Sequence, residues 1–142
     1  MSENRSYEFV DTNIFLYAYD LSDAGKRQKA QALISHLWET GGGCISIQVL
    51  QELYVNLTLK IPRPLTPQVA TQIISDLGQW RLHIPERSSL IEAVNIQQRH
   101  QVSFWEAMII CSAKELDCIT LWTEDLNPGQ RYEGIDVVNP LL

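Results

Sequence analysis

Short apolar runs punctuate the chain at "YEFV" (7–10), "CISI" (44–47), "LHI" (82–84), "CITLW" (118–122) and "IDVV" (135–138). Runs this brief, with little polar alternation, read as strands of a parallel sheet covered on both faces. The stretches between them carry helical spacing. In "QVLQELYVNLTLK" the residues Val49, Leu50, Leu53, Tyr54 and Leu57 fall on one face, which predicts a helix packed on the sheet. Thr66 before Pro67 is an N-cap with proline at the first helical position, opening "PQVATQIISDLGQW". Ser103 and Glu106 have the S-x-x-E form of a capping box, opening "FWEAMIICSAKEL", a helix apolar nearly all round and so expected to be deeply sandwiched. The breaks are "GGG" at 41–43, "IPRPLTP" at 61–67 and "NPGQ" at 127–130. Strands alternating with helices predict an α/β fold, a three-layer α/β/α arrangement in a single domain spanning 1–142.

Composition narrows the class. At 142 residues, 45% hydrophobic and 20% charged, the chain can bury a real core. Its N-terminus has no apolar signal region, and no segment is long and apolar enough to span a bilayer, so the expectation is a soluble, cytoplasmic protein with no membrane partner. Cys44, Cys111 and Cys118 form no C-x-x-C pair, and His36, His83 and His100 are scattered; reduced, buried thiols and no zinc site are expected. A net charge of −6 argues against a general nucleic-acid coat, yet leaves room for an enzyme whose metal ions bridge its acids to a phosphodiester. Small basic clusters (Lys26, Arg27 and Lys29; Lys60 and Arg63; Arg99 with His100) read as solvated faces.

The acids are more informative. In open α/β sheets the binding crevice lies beyond the carboxyl ends of the strands. Asp11 follows "EFV", Glu52 lies early in the helix after "CISI", Glu106 is in the first turn of a buried helix, and Asp125 follows "CITLWT". Each has a plain alternative: Asp11 as the N-cap of a helix, Glu52 as a solvated helix residue, Glu106 as a capping-box residue, Asp125 as a turn former. Brought together, three carboxylates repel unless protonated or bridged by a cation, and all-oxygen ligation points to Mg²⁺ or Mn²⁺.

The motifs "VDTNIFLYAYD", "QVLQELYVN", "SFWEAMIICSAKELDCITLWTEDLNPGQ" and "GIDVVNP" resemble the PIN-domain family, in particular the VapC-type toxins of toxin–antitoxin modules, and the likeness runs across nearly the whole chain. The resemblance implies a five-stranded parallel sheet flanked by helices, Mg²⁺-dependent ribonuclease activity on RNA, and a homodimer. Its four acids fall on Asp11, Glu52, Glu106 and Asp125, with Asn13 and Thr123 in support and Asp11, Glu106 and Asp125 as the metal ligands. The third position departs from the pattern, since the family usually has Asp there and Glu106 is longer by roughly 1.5 Å. Two rivals fit less well. A haloacid-dehalogenase-type phosphotransferase needs an Asp where Asn13 stands, and a receiver domain needs an acidic pair and a late Lys where Val10 precedes Asp11 and Asn139 follows "IDVV".

The resulting expectation is a Mg²⁺-dependent endoribonuclease, the toxin of a type II pair. Its partner would be an antitoxin whose basic tail covers the acids. The alternative is a non-catalytic PIN domain that binds RNA or protein, motivated by Glu106 and by the acidic charge.

Overall fold

The computed structural model describes residues 6–127 and 129–142. In chain order the elements are β1 (Glu8–Val10), α1 (Thr12–Tyr19), α2 (Ala24–Thr40), β2 (Gly43–Ser46), α3 (Ile47–Leu59), α4 (Pro67–Leu77), β3 (Arg81–His83), α5 (Arg87–His100), α6 (Phe104–Glu115), β4 (Thr120–Trp122), β5 (Arg131–Tyr132) and β6 (Ile135–Val138). The sheet order is β3-β2-β1-β4-β6-β5. All neighbours are parallel except β5 and β6, so the five expected parallel strands are present and an antiparallel edge strand extends them. Helix α1 packs on α2 and α3, α3 packs on α4, and α5 pairs with α6, in a three-layer α/β/α arrangement.

From β1 the chain steps outward to β2 and β3, then returns to lay β4 on the other side of β1. That reversal makes the gap beyond the ends of β1 and β4 the topological switch point, where α/β sheets leave room for a ligand. Register fixes the two ends side by side, with Val10 opposite Trp122 and the Asp11 N–H donating to the Trp122 carbonyl at 3.0 Å.

Local chemistry explains the boundaries. Asp11, Asp23, Ser46, Thr66 and Ser103 each N-cap a helix, the side chain accepting a backbone N–H. Ser46 begins α3 immediately, which takes Ile47 from the expected second strand. Similarly, Cys118 donates its N–H to the Ala113 carbonyl and Asp117 adopts a left-handed φ of 59°, so the start of "CITLW" terminates α6 and the strand begins at Thr120. Helix α6 buries seven consecutive residues, Ala107 to Ala113, as its all-round apolarity predicts. The three cysteines are free and buried. No helix among the described residues is long and apolar enough to cross a membrane.

The edge hairpin escaped the apolar pattern because β5 is two residues long. Its turn has positive φ at both Glu133 (54°) and Gly134 (81°), the backbone that a tight two-residue hairpin requires. Glu133 holds this turn against the helices. Its carboxylate accepts from Arg99 Nη1 (3.0 Å), His100 Nε2 (2.7 Å) and Lys114 Nζ (3.0 Å). Burial alone would raise its pKa, but His100, Lys114 and Arg99 outweigh burial and hold it at about 2. Arg99 and His100 are therefore occupied in structure. So are Lys29, which donates to the Leu141 carbonyl, and Lys26, which lies over the Tyr17 ring.

The "GGG" break has a packing cause at Gly43, where a Cβ would sit 2.7 Å from the Trp80 ring. Trp80 is buried and in contact with Phe15 and Trp38, so it has little room to yield. Gly43→Ala is accordingly expected to destabilise the protein by about 1–3 kcal/mol, read as a lower denaturant midpoint at unchanged slope. An unchanged midpoint would show that the Trp80 ring gives way freely.

Candidate active site

Asp11 follows β1 with extended backbone and caps α1, its Oδ1 accepting the Thr12 N–H at 2.7 Å. Its Oδ2 accepts the Thr123 hydroxyl at 2.9 Å. Thr123, fully buried just after β4, also accepts from Asn13 Nδ2 (3.2 Å) and from the Asp125 N–H (3.1 Å). Asn13 Nδ2 reaches Asp125 Oδ2 as well, at 2.9 Å. One buried hydroxyl and one amide thus lock the two aspartates to each other across the switch point. The capping reading of Asp11 and the site reading hold together, one oxygen serving each.

Glu52, on the second turn of α3, accepts the Thr12 hydroxyl at 2.8 Å. Thr12 is 7% exposed and was not singled out from the sequence, because only the fold brings it to a residue forty positions away. Asp11, Asn13, Glu52, Glu106 and Asp125 all line one cavity of about 520 Å³, together with Thr12, Gln48, Asn56, Lys60 and Trp105. Among the described residues Lys60 is the one basic side chain in that lining.

Glu106 adopts its capping reading. It forms the capping box: Ser103 Oγ accepts the Glu106 N–H at 3.1 Å, and Glu106 Oε1 accepts the Ser103 N–H at 2.9 Å. Among the described residues no three acidic, His or Cys side chains converge closely enough to ligate one ion, and in this conformation the Glu106 carboxylate serves its cap.

The donor set nevertheless fits a hard divalent cation. Every acid offers oxygen, and Mg²⁺ commonly keeps several waters and takes only one or two protein carboxylates. The electrostatics point the same way. Burial, with the charges of Asp125 and Glu52 adding to it, raises the Asp11 carboxyl from 3.8 to about 6, against the lowering effect of its bonds from Thr12 and Thr123. A cation would remove that penalty.

The sequence profile of the PIN domain matches residues 9–132, and the chain belongs to that family. Its fold is that of VapC-type chains. A toxin–antitoxin complex from Klebsiella pneumoniae superposes with a TM-score of 0.68 at 18% identity, covering 95% of this chain and 98% of the other. VapC20 of Mycobacterium tuberculosis, a sarcin–ricin loop cleaving toxin, gives 0.59 at 18% identity over 80% and 86%. DNA-bound VapBC from Salmonella typhimurium gives 0.62 at 17% identity over 93% and 96%. No curated protein matches the sequence significantly.

The raised Asp11 pKa sets a direction for stability. The folded state holds this proton more tightly than the unfolded chain does, so the carboxyl costs nothing below about pH 3.8 and costs more as pH rises to about 6. In chelator, the stability of Asp11→Asn relative to wild type is expected to shift in favour of Asn by about 2–3 kcal/mol between about pH 4 and pH 7, measured by denaturant titration. A difference independent of pH would contradict the assignment.

Proposed function

We propose that this protein is a divalent-cation-dependent endoribonuclease, the toxin of a type II toxin–antitoxin pair. The observation that carries the reading is the meeting of Asp11, Glu52, Glu106 and Asp125 around one cavity at the switch point, with Asn13 and Thr123 tying Asp11 to Asp125. The family membership and the VapC-like fold support it.

In this reading Asp11 and Asp125 hold Mg²⁺ or Mn²⁺, and Glu106 completes the site through a water or after leaving its cap. The bound ion would supply an activated water and neutralise charge on the phosphoryl oxygens. Thr123 and Asn13 keep the two aspartates oriented. Glu52, steadied by the Thr12 hydroxyl, takes the proton from the attacking water. Lys60 meets a phosphate at the cavity edge.

An antitoxin with a basic tail suits the acid-lined cavity, since opposite charges speed association and make it salt-sensitive. A homodimer is supported by Ile84, Leu90, Ile91 and Val94, which stand exposed on and before α5. The second reading, a non-catalytic PIN domain binding RNA or protein, is favoured by one observation: Glu106 is engaged as a cap.

Labelled RNA incubated with Mg²⁺, Mn²⁺ or chelator separates the readings. Wild type is expected to cleave only with a cation, best with Mn²⁺, and Asp11→Ala to be inactive; equal cleavage by both would mark a contaminant. Glu106→Asp is expected to raise the cleavage rate and cation affinity. Glu106→Gln should lower both while changing stability by less than about 1 kcal/mol, because Gln also serves in a capping box. Unaltered metal-dependent cleavage by Glu106→Gln would show that Glu106 is only a cap.

A further inference from the structure

Trp105 and Gln48 line the cavity without taking part in the acid network. Trp105, second residue of α6, is 65% exposed at the cavity rim, although an indole of that size is ordinarily covered. Phe104 meets it edge-on, with ring centroids 5.2 Å apart at 75°, which limits its swing and leaves it presented as a platform. Gln48, in the first turn of α3, lines the same cavity and is 9% exposed. Its Nε2 donates to the Trp105 carbonyl at 3.4 Å, and its Oε1 is buried with no partner.

The orientation of that amide is dictated by its neighbour. A carbonyl can only accept, so Nε2 must face Trp105 and the acceptor is the atom left over. Leaving a buried acceptor unpaired costs about 1–3 kcal/mol, and an apolar residue of similar shape would avoid the cost. Local violations of this kind are concentrated at functional or strained sites. Oε1 has no accessible surface as the amide stands, so to meet an incoming N–H the amide must turn out of its long 3.4 Å bond to the Trp105 carbonyl.

We propose that Trp105 and Gln48 form a nucleobase subsite beside the acid cluster: an unpaired base of the substrate strand stacks on the indole while one of its N–H groups donates to Gln48 Oε1. This rests on the nuclease reading above and gives it a substrate class, a strand whose base beside the scissile phosphate is unpaired. A flat face joined to one neutral donor edge is what a base offers. A guanidinium from a protein partner would be drawn to the carboxylates of Glu52 and Asp125 and would leave Gln48 unsatisfied. All four bases carry an N–H on their pairing edge, so the subsite selects for an unpaired base more than for its identity.

The test uses a short fluorescein-labelled single-stranded RNA, with binding read by anisotropy in Ca²⁺ and cleavage read in parallel in Mg²⁺ or Mn²⁺. Trp105→Ala should weaken binding about tenfold or more and Trp105→Phe should retain most of it. Gln48→Leu should weaken binding while leaving Tm unchanged or raised, a combination that a purely structural glutamine would not give. An RNA with an abasic residue at the contacted position should bind wild type weakly and no longer distinguish it from Trp105→Ala. Equal affinities for wild type and Trp105→Ala, or losses from Trp105→Ala and the abasic RNA that simply add, overturn the subsite. So does a Trp105→Ala defect seen only in binding a protein partner. If wild type cleaves but Trp105→Ala binds normally, the subsite falls and the nuclease reading stands; if wild type never cleaves yet loses RNA on Trp105→Ala, the reverse holds.

Discussion

Like charge gathered at the carboxyl end of a parallel sheet is the constraint around which this molecule is arranged. Asp11 sits half-buried between Asp125 and Glu52, where burial and two neighbouring carboxylates resist its ionisation. Such a grouping persists only because neutral donors hold each member in place: the Thr12 N–H and the Thr123 hydroxyl on Asp11, Asn13 on Asp125, and the Thr12 hydroxyl on Glu52. The hydroxyls carry no charge, so they orient the acids without neutralising them. What remains is an oxygen-lined cavity with excess negative charge, suited to a hard cation.

The fold exists to create that position. Stepping from β1 outward to β3 and returning through β4 puts two strand ends side by side with a gap beyond them. The α5–α6 pair and the edge hairpin, pinned by Glu133 among Arg99, His100 and Lys114, brace the side of the sheet that carries β4 and Thr123. Two of the chain's eleven Lys and Arg side chains, Arg99 and Lys114, are engaged in this bracing. Lys60, by contrast, lines the cavity.

Much of this was legible in the sequence, and the parts that were not share a physical reason. Strands covered on both faces are continuously apolar, so all five parallel strands could be placed to within two residues, and the caps at Thr66 and Ser103 announced their helices. The missed edge strand has two residues, too few for any period to show. Asp11, Asn13, Glu52, Glu106 and Asp125, which stand near a strand end or in a familiar motif, could be named as candidates and line one cavity. That Thr12, Gln48 and Trp105 join the same lining was not legible, because it depends on contacts between distant segments: Thr12 with Glu52, and Gln48 with the backbone of α6. For Glu106 the sequence posed the choice between cap and ligand, and the observed conformation makes it a cap.

If electrostatic strain at Asp11 is what a cation relieves, the most direct measurement is thermal unfolding of wild type and Asp11→Asn across a titration of Mn²⁺ at neutral pH. A ligand at free concentration L that binds only the folded state stabilises it by RT ln(1 + L/Kd), so Tm climbs with the logarithm of ligand concentration once that exceeds Kd. Such a concentration-dependent rise in Tm is expected for wild type, and little or none for Asp11→Asn. Equal responses in the two proteins, or none in either, would contradict it.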